Sequence, residues 1–191
     1  LILTDKYLQA LQMAFILHKD QTRKGSSIPY LSHLESVAAI VWKNGGTEDE
    51  AIAALLHDAV EDQGGIPTLE AIREKFGSHV ADIVAACSDT TELIKPDWLT
   101  RKQKYIDDMS THSASARLIS AADKLDNLRD LNREYMQMGE QLWLKFTGTK
   151  QQTLWYYRSL AEIFTKIGPT NLGQEILHEL AMLEAQISIQ Q

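Results

Sequence analysis

The chain has 191 residues, 44% of them hydrophobic and 24% charged, which suits a single globular domain over residues 1–191 that buries its own core. Its net charge of -7 argues against a general nucleic-acid binder, which needs a basic face. A small phosphorylated substrate stays open, because a metal and a few local cations can reverse the field inside a pocket.

In chain order, Thr4 can cap a helix that runs to Lys19 and draws its apolar faces from Leu8, Leu11, Phe15 and their neighbours. A polar loop from Asp20 to Pro29 carries Arg23 and Lys24, and helical periodicity resumes over Tyr30 to Trp42 until Asn44-Gly45-Gly46 stops it. Thr47 with Glu50 reads as the capping box of a central helix that continues to about Gln63, before Gly64-Gly65. Thr68 is a weak cap for the short helix of Leu69, Ile72 and Phe76, and Gly77 breaks it. Val80, Ile83, Val84 and Cys87 stripe the next helix. Cys87 is the sole cysteine, which excludes an intrachain disulfide and a cysteine-built zinc site. With no signal peptide recognised, the expected compartment is the reducing cytoplasm.

Lys95-Pro96 belongs to a loop, and Trp98 to Met109 reads as a charged, exposed helix. A long helix from Ala114 to about Tyr135 follows, then a short Trp-containing turn after Gly139, a helix over Thr149 to Ile167 ended by Gly168-Pro169, and a last helix from about Leu172 to Ile187. No alternating strand pattern stands out, and no apolar run approaches the ~20 residues of a membrane span. The expected fold is an all-α helical bundle. The aromatic set of Trp143, Phe146, Trp155, Tyr156 and Tyr157 suits core, pocket wall or a homodimer contact, with core the expectation for most of it.

The central stretch, Ala51-Ile-Ala-Ala-Leu-Leu-His-Asp-Ala-Val-Glu-Asp62, carries the chemistry. On one helix turning about 100° per residue, His57, Asp58, Glu61 and Asp62 form a single polar strip, with apolar residues on the other sides. A helix this apolar is buried, and buried carboxylates need a metal or charged partners. Further ligands must come from elsewhere. His33 lies early in the second helix, and in Ser120-Ala-Ala-Asp-Lys-Leu-Asp-Asn-Leu-Arg-Asp130 the long helix places Asp123 and Asn127 on one face. Two histidines with two aspartates suit a divalent ion such as Mn²⁺, Fe²⁺ or Zn²⁺; oxygen-only ligation would have suited Mg²⁺.

These residues resemble a known family. His57-Asp58, a distant earlier His and a distant later Asp look like the HD-domain metal-dependent phosphohydrolases. The segments Arg23-Lys-Gly-x-x-x-Pro-Tyr-Leu-x-His33, Leu-Leu-His-Asp-x-x-Glu-Asp62 and Ala-Asp-Lys-Leu-x-Asn-Leu-Arg129 are similar to the RelA/SpoT hydrolase group, within it the small stand-alone alarmone hydrolases also found in animals. The resemblance implies an HD-type bundle that binds Mn²⁺ through His33, His57, Asp58 and Asp123. It implies that Glu61 and Asp62 activate the attacking water, and that Arg23, Lys24, Asn127 and Tyr156 contact substrate. The implied reaction removes pyrophosphate from the 3′ position of guanosine tetra- or pentaphosphate, as in the stringent response.

Two positions depart from the family pattern: Leu34 stands where Pro is usual, and Asp126 where His or Tyr is common. One rival reading is hydrolysis of another nucleotide or phosphate ester, for instance the 2′-phosphate of NADPH. Another is a non-catalytic nucleotide-binding module, which predicts a missing ligand or a missing Glu-Asp pair; all six residues are present.

Overall fold

The computed structural model describes residues 3–88 and 96–189, and Lys95 of the expected Lys95-Pro96 loop lies outside them. Among the described residues there are ten α-helices and no strand, as the apolar periodicity predicts. The chain groups into two compact units, residues 1–95 with 118–120 and residues 96–117 with 121–191, where its length alone predicts one domain.

The first unit holds α1 (Asp5–His18), α2 (Leu31–Lys43), α3 (Glu48–Leu56), α4 (Ala59–Asp62), α5 (Ile66–Phe76) and α6 (Ser78–Cys87). Its centre is α3, which packs on α1, α2 and α6. Residues 51–56 are apolar on every side and all fully buried. The Thr47–Glu50 capping box forms as expected, Thr47 Oγ1 accepting from Glu50 N and the Glu50 carboxylate accepting from Thr47 N. In α1 it is the small residues Ala10 and Ala14 that are buried, whereas Leu8, Phe15 and Ile16 stay exposed. The weak cap assigned to Thr68 also gives way: α5 starts at Ile66 with Pro67 in its first turn, and the Thr68 hydroxyl donates to Gln63 O at 2.8 Å.

The central helix is not continuous. It stops at Leu56 and resumes at Ala59, with His57 and Asp58 in the join. Asp58 takes φ -95° and ψ -3°, in the bridge region that is frequent at active sites. The break therefore falls on the two residues that the sequence marks as ligands.

The second unit holds α7 (Trp98–Met109), most of α8 (Ala114–Met138), a 3₁₀ turn (Gly139–Lys145), α9 (Lys150–Ile167) and α10 (Thr170–Ile189). Helix α9 packs on α7 and α10. The inner side of α10 is Leu172, Ile176, Leu180, Leu183 and Ile187. Gly173 admits the close approach of α9, since a Cβ there would meet Thr165 N at 2.5 Å. Helix α7 is less exposed than its charge predicts, with Tyr105, Ile106 and Met109 buried.

Candidate metal centre

His33 is set in the first turns of α2, and His57 and Asp58 at the α3–α4 join. Both histidines are buried, and the three side chains bring one ligand atom each to within 4.8 Å of one another. Nε2 of His57 lies 3.1 Å from Asp58 Oδ2, and Nε2 of His33 lies 3.8 Å from the same oxygen.

The tautomer of His57 follows from its neighbour. Nδ1 is 2.8 Å from Ala54 O, a pure acceptor, so Nδ1–H donates. In the neutral ring, Nε2 then turns its lone pair towards the Asp58 carboxylate. Two electron-rich atoms at that distance are relieved by a cation between them, and two ligands held at right angles ~2.1 Å from one ion stand about 3 Å apart. The residues therefore fit a divalent metal. Imidazole nitrogens with a carboxylate suit a transition-series ion.

The residues around the centre are held from the loop before α2. Tyr30 N donates to Gln21 O at 2.9 Å and Arg23 N to Ile28 O at 2.8 Å, which closes the loop. The Tyr30 hydroxyl donates to Asp58 Oδ2 at 2.5 Å, and Arg23 lies over the Tyr30 ring with its Cζ 5.7 Å from the centroid. Arg23 is thus brought to the side of Asp58, whereas Lys24 is exposed beside it. On α4, Glu61 is half-buried and Asp62 is exposed, with Asp62 Oδ2 accepting from Gln21 Nε2 at 2.8 Å. Leu34, where the family pattern has Pro, is fully buried.

The other sequence-marked residues belong to the second unit. Asp123 on α8 is buried and accepts hydrogen bonds from Lys124 Nζ and from Asn127 Nδ2. The i+4 spacing of Asp123 and Asn127 thus does what it predicts, putting the two on one face. Lys124 Nζ lies 5.5 Å from the Tyr105 ring centroid and 5.9 Å from that of Tyr156. Burial works against the Lys124 ammonium, but Asp123 with the Tyr156 and Tyr105 oxygens outweighs it, and the pKa is raised well above the usual lysine value. Tyr156 is buried against Trp98, Tyr105 and Tyr157, and its hydroxyl has no hydrogen-bond partner among the described residues. Desolvation raises its pKa, so the phenol stays neutral. Asp126, the second departure, is half-buried.

Sequence reasoning missed Tyr30, Gln21, His18 and Gln63 as supports of the site. Tyr30 was visible within the motif ending at His33, but its reach to Asp58 depends on how the loop folds back. A histidine at the end of a largely apolar helix, His18, was the other available signal.

Comparison with known proteins places the chain in a family. The HD domain model matches residues 10–154, and the chain belongs to the HD-domain family. Among its relatives, the guanosine-3′,5′-bis(diphosphate) 3′-pyrophosphohydrolase MESH1 of Drosophila melanogaster is 38% identical over 129 residues, covering 66% of this chain and 69% of the relative. The Mus musculus MESH1 is 34% identical over 178 residues, covering 85% of this chain and 95% of the relative. A solved structure of a metazoan orthologue of SpoT that hydrolyses ppGpp superposes with a TM-score of 0.66 at 28% identity, over 99% of this chain and 95% of the other. The resemblance read from the three motifs is borne out. No helix among the described residues is long and apolar enough to cross a membrane.

Proposed function

We propose that the chain is a divalent-metal-dependent phosphohydrolase acting on guanosine tetra- and pentaphosphate, releasing pyrophosphate from the 3′ position to leave GDP or GTP. The observation that carries the reading is the cluster of His33, His57 and Asp58, in a chain whose relatives include 3′-pyrophosphohydrolases. We assign Asp123 as the fourth ligand and Mn²⁺ as the ion, with Fe²⁺ and Zn²⁺ as the alternatives that the same donors accept. One functional domain over residues 1–191 is part of the same reading, and the family match over residues 10–154 includes residues of both units.

When bound, the ion supplies Lewis-acid chemistry, making water more acidic and offsetting charge at phosphorus. The chain's residues do the rest. Tyr30 and the Ala54 carbonyl orient Asp58 and His57. Glu61 and Asp62, four residues on from His57 and Asp58, orient the attacking water and accept its proton. Arg23 and Lys24 hold phosphate oxygens and offset the charge that builds during displacement. Asn127 and Tyr156 are the further substrate contacts of this reading. The expected partner is thus a phosphorylated nucleotide.

The test is product analysis with Mn²⁺ and ppGpp for the parent, Asp58→Ala and Glu61→Ala. GDP and pyrophosphate from the parent but from neither variant support the reading. Cleavage of another nucleotide in place of ppGpp, NADPH included, keeps the centre and discards the alarmone assignment.

A further inference from the structure

Helix α1 ends in His18, which is 1% exposed although the helix is otherwise held by alanines. Its Nδ1 lies 2.7 Å from Gln21 Oε1. Gln63 Nε2 donates to the same Oε1 at 2.7 Å, and Gln21 Nε2 donates to Asp62 Oδ2 at 2.8 Å. An ionised carboxylate only accepts, so the amide NH₂ must face Asp62 and the amide oxygen must face His18 and Gln63. His18 is then the donor through Nδ1–H. Three separate bonds therefore fix which way Gln21 points.

The same histidine supports the neighbouring arm. Its ring stacks on Tyr30 with centroids 5.3 Å apart and planes at 16°, and the Tyr30 hydroxyl is bonded to Asp58. One buried imidazole stands behind both a ligand and a carboxylate proposed to move a proton.

We propose that Gln21 is a positioning residue for Asp62. Its amide, locked by His18 and Gln63, holds the Asp62 carboxylate in the orientation in which it works on the attacking water. Asp62 is an exposed side chain at the end of a four-residue helix. A donor that is itself fixed by two further bonds narrows the rotamers that the Asp62 carboxylate samples. The inference rests on the role given to Asp62 above, and it extends the site to residues on α1 and its following loop.

The test is steady-state kinetics of Gln21→Glu and Gln21→Ala, using whichever phosphorylated nucleotide the parent turns over, with Mn²⁺ affinity measured alongside. Gln21→Glu keeps an oxygen for His18 and Gln63 and sets a second carboxylate against Asp62. Both variants are expected to lose about tenfold or more in kcat, with KM and Mn²⁺ affinity within about twofold of the parent. A double-mutant cycle of Gln21→Ala with Asp62→Ala on the unfolding equilibrium reads the same bond without turnover, and a coupling of about fivefold is expected. Parent-like kcat in Gln21→Glu overturns the proposal, as does a fall in kcat that tracks lost Mn²⁺ affinity, or a cycle without coupling. A parent that cleaves no nucleotide defeats the functional reading instead, and the cycle then decides the Gln21–Asp62 pairing.

Discussion

Replacing Tyr30 by Phe removes a single oxygen from beside the candidate metal centre and keeps the ring. The stack on His18 and the contact with Arg23 are carried by the ring, so both survive. What is lost is the 2.5 Å bond to Asp58 Oδ2. A hydroxyl bonded to a carboxylate contributes ~1.5–3 kcal/mol. Asp58 is 23% exposed at its side chain, so water recovers part of this and the lower end applies. About 1.4 kcal/mol is a factor of ten, and partners that orient metal ligands typically govern affinity by ~10–100-fold. Tyr30→Phe is therefore expected to weaken Mn²⁺ binding about tenfold, read by calorimetric titration of metal-stripped protein. Unchanged affinity would refute the reasoning, and tighter binding would show that the hydroxyl competes with the ion for the oxygen.

Leu34→Ala should destabilise the protein by ~2–5 kcal/mol in a denaturant titration, since its side chain is fully buried in α2; a loss under ~1 kcal/mol would mean that the site collapses around the cavity. Gly173→Ala places a Cβ 2.5 Å from Thr165 N and 2.9 Å from Phe164 C, both backbone atoms, and should cost ~1–3 kcal/mol, or roughly 2–12 °C in Tm. A parent-like melting curve would show that α9 and α10 separate without cost. The folded-state pKa of His112 is lowered, by burial first, with Lys104 and Arg117 adding to it and Asp108 opposing. The unfolded chain binds that proton more readily, so this stability is present above the unfolded value of about 6.5 and is lost as pH falls through the depressed folded value. His112→Gln should flatten the stability–pH curve on the acid side of ~6.5 relative to the parent, and parallel curves would contradict the assignment.

What could be read in the sequence followed from short-range pattern. The Thr47–Glu50 box, the burial of residues 51–56 and the pairing of Asp123 with Asn127 are i to i+3 or i+4 relations, fixed by helical geometry alone. The break at His57–Asp58 was hidden because both residues continue the helical periodicity, and only the backbone turn at Asp58 separates α3 from α4. The apolar faces of α1 are sorted only by packing: Ala14 is buried together with Ala10, whereas Leu8, Phe15 and Ile16 are exposed. Tyr30 and Gln21 escaped because their partners, Asp58 and Asp62, are 28 and 41 residues away, beyond any local pattern.

On the proposed function, this chain's histidines and aspartates hold a divalent ion that hydrolysis of ppGpp requires. Metal-stripped protein would be titrated with Mn²⁺ while ppGpp turnover is recorded, beside His57→Ala under the same titration. Turnover should be absent without metal, rise to saturation at one equivalent in the parent, and stay at background in the variant. Turnover by stripped protein with no response to metal, or parent-like saturation in His57→Ala, would contradict it.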